Sequence, residues 1–349
     1  MKKKILRLFG CGAAMAICLS GCGFSGRSLI KAAPEGVTRE VFAMDTYMTI
    51  TVYGDRAEEA AAAAVAEINR LELLLSTEIE DSEVGALNET GTGYLTEDTA
   101  CLWENSYEIY EETQGAFDIT VYPVMKAWGF TEGNFRVPEE SELKRLLAKV
   151  DSSRIIWDAQ DRQLILPKGV QIDFGGIAKG YTGERLVELL KEYGVENAML
   201  NLGGNVQLLG NKPDNSCYNI AVRNPEEGGA YIGVLSVCDT AIVTSGGYER
   251  YFQEDGVIYH HIIDPSTGYP AENGLKSVTV VCRDGIRADG YSTALFVLGR
   301  EKAISFWREH AEEFDGVFVT DESRIMITEG LQGRFSSDFP YEVLMRRED

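Results

Sequence analysis

The sequence has few histidines and a shortage of basic residues. These features argue against a structural zinc site and against nucleic-acid binding. Only 3 of its 349 residues are His, and no two of its 7 Cys form a CxxC pair, which argues against a structural zinc site. Lys and Arg total 33 against 55 Asp and Glu, a formal net charge of −22. Because nucleic-acid binding needs a basic surface, nucleic acid is not expected as the main partner. A small phosphate-containing molecule at one local site is compatible with this charge.

Long apolar segments are absent except near the N-terminus. Basic residues at positions 2, 3, 4 and 7 precede an apolar stretch over Leu8–Leu19, which is too short to span a membrane as a helix. The stretch ends in Leu-Ser-Gly-Cys, which resembles a bacterial lipobox with Cys22 as the lipidated residue. The alternative is an ordinary secretory signal that happens to contain Cys. We therefore predict a lipoprotein signal peptide at 1–21, a tether at 22–36 and one folded domain at 37–349.

The remaining sequence predicts one mixed α/β unit. Apolar residues at helical spacing predict helices, which are expected over Glu58–Leu75, Thr96–Thr113, Pro138–Val150, Ile177–Tyr193, Arg287–Leu298 and, after Gly299, Arg300–Phe314. The segment Val41–Tyr53 is β-rich, and further strands and hairpins are predicted at Arg154–Trp157 with Gln163–Leu166, Met199–Leu202, Tyr218–Val222, Val234–Val237, Ile258–Ile263, Ser277–Val281 and Gly316–Thr320 with Arg324–Thr328.

Four further cysteines follow the predicted signal peptide and lipobox, namely Cys101, Cys217, Cys238 and Cys282. Spacing alone cannot assign a disulfide among them. We therefore expect four free, buried thiols.

A glycine-rich loop over Asp173–Gly180, DFGGIAKG, is the most specific feature. It is predicted to join a strand to a helix. Glycines allow a close backbone approach to a ligand, and the helix start and Lys179 add positive potential. This combination suits a phosphate or pyrophosphate, although the spacing is not that of a Walker A loop. A plain turn with a solvated lysine is the alternative.

Two other segments carry groups suited to catalysis. Asp289 and Thr293 are four residues apart, so on a helix they share a face and offer hard oxygen ligands for Mg²⁺. A capping Asp with a core-facing Thr would show the same spacing. His260 and His261 are neighbours on a predicted strand, so at most one of them faces a given pocket. A structural, hydrogen-bonded histidine is the alternative.

In chain order, the motifs resemble those of the ApbE-type FAD:protein FMN transferases. The resemblance covers nearly everything from Val41 to about Thr328. The matching segments are AMDT at 43–46, SEV at 82–84 with LN at 87–88, GAFD at 115–118 leading to WGF at 128–130, DFGGIAKGY at 173–181, NLGGN at 201–205, TSGGYERYF at 244–252, HIIDPSTGYP at 261–270 and ADGYSTALFVLG at 288–299. The resemblance implies an α+β fold, with T-fold-like sheets packed against helices and an FAD cleft between two lobes.

The resemblance also implies a reaction. Such enzymes transfer FMN from FAD to a Thr or Ser hydroxyl of a target flavoprotein through a phosphoester bond, release AMP and require Mg²⁺. By motif, the residues lining the FAD pocket would be Met44, Ala116, Phe117, Asp118, Asp173, Lys179 and Ile263. The metal would take the carbonyl of Gly176 and the side chains of Asp289 and Thr293, with Ser292 nearby. His261 would be the base, and Lys179 and Asp289 would serve catalysis with it.

The resemblance places the protein outside the cytoplasm, lipid-anchored to the bacterial cell membrane. The acceptor would be a flavoprotein subunit of a membrane redox complex or an extracytoplasmic reductase, modified in a short motif resembling Asp/Ser-Gly-Ala-Thr. Two alternatives stay open. One is FAD pyrophosphatase activity at the same site, giving FMN and AMP. The other is a non-catalytic flavin-binding lipoprotein.

Overall fold

A computed structural model describes residues 36–79, 81–226 and 229–347. The predicted signal peptide, Cys22 and the tether up to residue 35 lie outside the described residues, so those assignments stay predictions. Among the described residues, no helix combines the length and the apolarity needed to cross a membrane.

The predicted helices are present, the last two as one broken helix, and two short helices at Glu83–Thr90 and Tyr122–Trp128 were not predicted. The helices are α1 (Ala57–Leu75), α2 (Glu83–Thr90), α3 (Glu97–Glu112), α4 (Tyr122–Trp128), α5 (Glu140–Leu147), α6 (Ala178–Glu192) and α7 (Gly285–Glu309). The predicted break in the last helix is confirmed, because Gly299 has a non-helical φ of 76°. A Cβ there would lie 2.4 Å from the carbonyl oxygen of Asn273, so the break also serves a close backbone approach.

The strands are more numerous than the sequence predicted. They are β1 (Val37–Ala43), β2 (Thr46–Tyr53), β3 (Thr92–Tyr94), β4 (Ile156–Asp158), β5 (Gln163–Ile165), β6 (Asn197–Leu202), β7 (Asn205–Leu209), β8 (Tyr218–Arg223), β9 (Tyr231–Val237), β10 (Ala241–Gly246), β11 (Tyr251–Glu254), β12 (Val257–His260), β13 (Leu275–Cys282), β14 (Phe314–Thr320), β15 (Ile325–Thr328), β16 (Phe335–Ser336) and β17 (Tyr341–Leu344).

One nine-stranded sheet organises the fold. Its order is β1-β2-β6-β7-β10-β13-β14-β15-β17, antiparallel throughout except for the β15–β17 pair. Smaller sheets have the orders β16-β9-β8, β3-β5-β4 and β11-β12. The predicted mixed α/β class is thereby confirmed.

The large sheet is covered on both faces. Apolar side chains of α1 and α6 pack with those of β2 and β6 on one face, and α7 packs over β10 and β13. On the other face, β8, β9 and β16 pack against alternate residues of β7, β13, β14 and β15. Burial of two sheet faces makes the central strands apolar on both sides, except where a site requires polar groups.

The β-rich segment Val41–Tyr53 forms parts of two strands, because Met44 and Asp45 adopt positive φ values of 49° and 58° and form a tight hairpin turn. Two other expectations were wrong. The segment before Asp173 is not a strand. Cys217 and Cys238 are not free thiols but form a disulfide, with Cα atoms 5.0 Å apart.

The disulfide follows from strand register. Tyr218 pairs with Val237 in the antiparallel β8–β9 hairpin, so the residues just outside this pair, Cys217 and Cys238, face each other. Cys101 and Cys282 are free, as expected, and Cys282 is buried, but Cys101 is only half-buried.

Candidate active site

The glycine-rich loop is held by side-chain contacts instead of strand pairing. The Nδ2 of Asn88 donates to the carbonyl of Ile172 at 2.8 Å, and the backbone N–H of Ile172 donates to Oδ1 of Asn88 at 2.7 Å. This reciprocal pair replaces the predicted strand. Oδ1 of Asp173 then accepts the N–H of Gly175 at 2.9 Å, which shapes the turn into α6.

The start of α6 crosses α7 at very short range. The N–H of Gly180 donates to Oδ2 of Asp289 at 2.7 Å. A Cβ at Gly180 would lie 2.2 Å from the carbonyl oxygen of Gly285 and 2.7 Å from Cβ of Asp289. Any side chain larger than hydrogen at position 180 would push the two helices apart, so this glycine sets the position of the Asp289 carboxylate.

Asp289 is a buried carboxylate, with only 5% of its surface exposed. Burial raises the pKa of its carboxyl group, while the Lys179 ammonium and the N–H of Gly180 act in the opposite direction. Such a group requires compensating positive charge in order to stay ionised.

Hydroxyl groups lie around the same turn of α7. The Oγ of Ser245 lies 2.8 Å from Oγ of Ser292 and 3.3 Å from Oγ1 of Thr293, and Oγ of Ser292 donates to the carbonyl of Asp289 at 2.9 Å. Thus β10 supplies a third hydroxyl to the two that the sequence indicated. Ser245 was missed as a site residue, although its TSGG segment belongs to one of the matching motifs.

These residues fit Mg²⁺. Among the described residues there is no cluster of three or more His, Cys, Asp or Glu that could hold a metal. The site instead offers the buried Asp289 carboxylate and, one turn along α7, the Thr293 hydroxyl, while the Gly176 carbonyl stays a predicted ligand. Mg²⁺ binds in this way when it completes its coordination with water and substrate phosphate oxygens.

The two neighbouring histidines have different hydrogen-bond patterns. His260 is engaged at both ring nitrogens, since Nε2 donates to the carbonyl of Ala271 at 3.0 Å and Nδ1 accepts the N–H of Ile262 at 3.3 Å. In His261, Nδ1 donates to the carbonyl of Arg250 at 3.1 Å. This places the lone pair of the neutral His261 ring on Nε2, as a base requires.

The surroundings keep His261 neutral. Desolvation and the nearby Arg250 guanidinium lower the pKa of His261 to about 3, and Lys179 acts in the same direction. Lys179 also lies close enough to affect the pKa values of Asp173 and Asp289. The loop at 173–180, the histidine segment and α7 therefore meet around one lysine.

The residues predicted to line a flavin pocket lie in several different parts of the fold. Met44 is half-buried at the β1–β2 turn, where its N–H donates to Oε1 of Glu72 at 2.7 Å and its Sδ lies 3.8 Å from Oγ1 of Thr182 on α6. Phe117 is buried, and its ring lies 3.1 Å from the position of a Cβ on Gly176. Ala116 is half-buried beside it.

Asp118 and Ile263 have structural partners. The Asp118 carboxylate accepts hydrogen bonds from Thr120 Oγ1 and Ser152 Oγ, both at 2.6 Å, and from the backbone of both residues. Its carboxylate thus organises the loop after α3, and a flavin contact of this residue stays a prediction. Ile263 is buried with Trp128 and Phe130, and Trp128 Nε1 donates to the carbonyl of Gly268 at 2.7 Å.

Comparison with known proteins agrees with this geometry. The ApbE family matches residues 44–318. An FAD:protein FMN transferase of Klebsiella pneumoniae is 34% identical over 294 residues, which covers 82% of this chain and 91% of that protein. One from Treponema pallidum is 32% identical and covers 90% and 92%. The crystal structure of the ApbE protein of Thermotoga maritima superposes with a TM-score of 0.81 at 32% identity, covering 86% of this chain and 99% of that one.

Proposed function

The chain belongs to the ApbE family and is an FAD:protein FMN transferase, and we propose that it carries out the transfer at the cleft around Lys179 with Mg²⁺ bound at Asp289. It is thus an enzyme and not a non-catalytic flavin-binding lipoprotein. In the proposed reaction, a Thr or Ser hydroxyl oxygen of the acceptor attacks the FMN phosphorus of FAD. The pyrophosphate P–O bond breaks and AMP leaves with the bridging oxygen.

The observation that carries this proposal is the convergence of three motifs on Lys179. Its charge acts on Asp173, on His261 and on Asp289. A pyrophosphate bound there would meet the ammonium group and the backbone amides at the start of α6, which stabilise anionic charge. The acidic surface of the protein does not oppose this, because the positive charge is local.

His261 would take the proton of the acceptor hydroxyl. A hydroxyl is a poor nucleophile without a base within reach. The Nδ1 contact with the Arg250 carbonyl leaves Nε2 as the proton acceptor. Desolvation, together with the Arg250 guanidinium, lowers the pKa of His261 and keeps the ring unprotonated.

Asp289, Thr293 and the Gly176 carbonyl would hold Mg²⁺, with Ser245 supporting the hydroxyl of Thr293 and Ser292 in turn contacting Ser245. When bound, the ion would polarise the pyrophosphate and neutralise charge on the leaving AMP. The Gly180 N–H would keep one oxygen of the Asp289 carboxylate fixed and leave the other for the ion.

The test is a transfer assay with FAD, Mg²⁺ and a carrier protein that bears a Ser-Gly-Ala-Thr segment. The wild-type protein should produce a fluorescent, flavin-labelled carrier band in a denaturing gel, together with one AMP per flavin. Asp289→Asn should reduce transfer by about 10²–10³-fold. Wild-type transfer in that variant would contradict the metal assignment. Release of AMP without carrier would identify pyrophosphatase activity.

We also propose that the enzyme is lipid-anchored through Cys22 and acts outside the cytoplasm on an acceptor flavoprotein, such as a subunit of a membrane redox complex or an extracytoplasmic reductase. The lipobox supports the anchor. The Cys217–Cys238 disulfide supports an oxidising compartment, because disulfides are rare in the bacterial cytosol.

A further inference from the structure

Asn205 is a buried amide without a well-formed hydrogen bond. It is only 3% exposed, and neither its Nδ2 nor its Oδ1 has a partner at ordinary hydrogen-bond length and angle among the described residues. Leaving a buried polar group unpaired costs about 1–3 kcal/mol. A protein that keeps two such atoms on one side chain has a use for them in another state.

The direction of the Asn205 side chain follows from strand alternation. On β7, Val206 and Leu208 pack with the small sheet β8-β9-β16, whereas Leu209 packs with α6 on the opposite face. Because side chains alternate along a strand, Asn205 and Gln207 face the helices with Leu209. Consistent with this, a Cβ at Gly285 would lie 2.6 Å from Oε1 of Gln207.

The part of α6 and α7 that covers Asn205 carries the proposed metal site. Leu209 packs with Leu186 and Leu190 of α6, and Gln207 lies against Gly183 of α6 and Gly285 of α7. Asn205 is therefore directed to the next turn of each helix, where Gly180 and Asp289 meet. In agreement, the Asn205 side chain is one of the hydrogen-bond donors that lower the pKa of the Asp289 carboxyl group against the effect of burial. The Gly180 N–H already occupies Oδ2 of Asp289. Asn205 is therefore beside a carboxylate that has one fixed hydrogen bond and a second oxygen for other partners.

We propose that Asn205 is a positioning residue of the metal site, donating from Nδ2 to the Asp289 carboxylate and accepting at Oδ1 from the water shell of the bound cation. This deepens the proposed function and rests on the assignment of the metal to Asp289. Both amide atoms would then form hydrogen bonds of ordinary geometry only when the cation is present. Polar groups outside the ligand set typically change metal affinity by about 10–100-fold.

The test measures cation binding and not turnover. Mn²⁺ is titrated into the full protein and free Mn²⁺ is followed by electron paramagnetic resonance. Asn205→Leu should weaken Mn²⁺ binding by about 10–100-fold. In the metal-free protein its melting temperature should equal or exceed that of the wild type, because an unpaired buried amide is removed. A purely structural asparagine would instead give a lower melting temperature.

Gln207→Leu is the matched control. Gln207 is also a buried amide on the same face of β7, and its Oε1 likewise has no partner among the described residues, but it lies next to Gly285 and Gly183. Its replacement should leave the Kd for Mn²⁺ within about threefold. Equal weakening by both variants would overturn the proposal.

Asp289→Asn distinguishes a failure of the Asn205 role from a failure of the metal assignment. Loss of Mn²⁺ binding in Asp289→Asn with unchanged binding in Asn205→Leu would overturn the role of Asn205 and leave the metal site standing. Unchanged binding in Asp289→Asn, or no Mn²⁺ binding by the wild-type protein, would overturn both.

Discussion

The backbone N–H of Gly180 donates to Oδ2 of Asp289 across the contact between α6 and α7, at 2.7 Å. This one bond joins the glycine-rich loop to the helix that carries the proposed metal ligands, although the two residues are 109 positions apart in the chain. The contact is possible only because the helices meet at a residue without a side chain. The geometry of the site therefore depends on packing as much as on the ligands themselves.

Gly180→Ala should destabilise the protein and weaken Mg²⁺ binding. The added methyl would clash with the Gly285 carbonyl, and overpacking of this kind costs about 1–3 kcal/mol. Denaturant unfolding and a Mn²⁺ titration measure the two effects. Gly183→Ala, on the same helix, is the control because its Cβ would come no closer than 3.3 Å to Gln207. If the two variants behave alike, the tight crossing is not what positions Asp289.

His261→Ala should leave FAD affinity within a few-fold of the wild type and reduce FMN transfer by about 10²–10⁴-fold, the usual range for loss of a general base. His260→Ala should retain transfer but lower the melting temperature, because both ring nitrogens of His260 have structural partners. FAD titration, gel fluorescence of the acceptor and thermal unfolding distinguish the two. Loss of transfer in His260→Ala alone would reverse the assignment.

The value of kcat/KM for the acceptor should not fall on the acid side of pH 6.5. The lowered pKa of His261, about 3, leaves its ring unprotonated in the free enzyme down to mildly acidic pH. The unfolded chain protonates this histidine near its ordinary value, so its contribution to stability is present above pH 6.5 and is lost as pH falls toward 3. The measurement is kcat/KM for the acceptor between pH 5 and pH 8.

Arg250→Gln tests the cause of that shift. Removing the positive charge beside the ring should raise the pKa of His261 and move any acid limb to higher pH. A limb near pH 6.5 in the wild-type enzyme, unchanged in the variant, would show that the environment does not keep His261 neutral.

Reduction of the Cys217–Cys238 disulfide should lower stability by about 2–4 kcal/mol, because the bond restricts the unfolded chain. Cys217→Ser should show the same loss without reductant and no further effect of reductant. Cys101→Ser, which removes a free thiol, should respond to reductant like the wild type. Insensitivity of the wild-type protein to reductant would argue against a stabilising bond.

Cys22→Ala should release the protein from membranes or stop its processing, since Cys22 is the proposed acylation site. Cell fractionation and the mass of the mature N-terminal peptide measure this. Cys101→Ser again serves as the control. A membrane-bound variant that still carries acyl mass would contradict the anchor.

Local features of the sequence determined much of the fold and part of the site. The i, i+4 spacing of Asp289 and Thr293, the break at Gly299 and the hairpin at 314–328 all depend on residues close together in the chain. Helical periodicity located α1, α3 and α6 to within one residue. The mixed α/β class follows from the same patterns, and the order of the motifs along the chain is sufficient to identify the family.

Contacts between distant segments decided the rest. The β8–β9 register pairs Cys217 with Cys238, and four hydrogen bonds turn Asp118 inward to the residues Thr120 and Ser152. The tautomer of His261 depends on the Arg250 carbonyl, and the face of Asn205 depends on which layers cover β7. A sequence pattern indicates which groups are available. Only the close packing of α6, α7 and the sheet determines which of them meet, because most buried polar groups pair with groups that the neighbouring sequence does not supply.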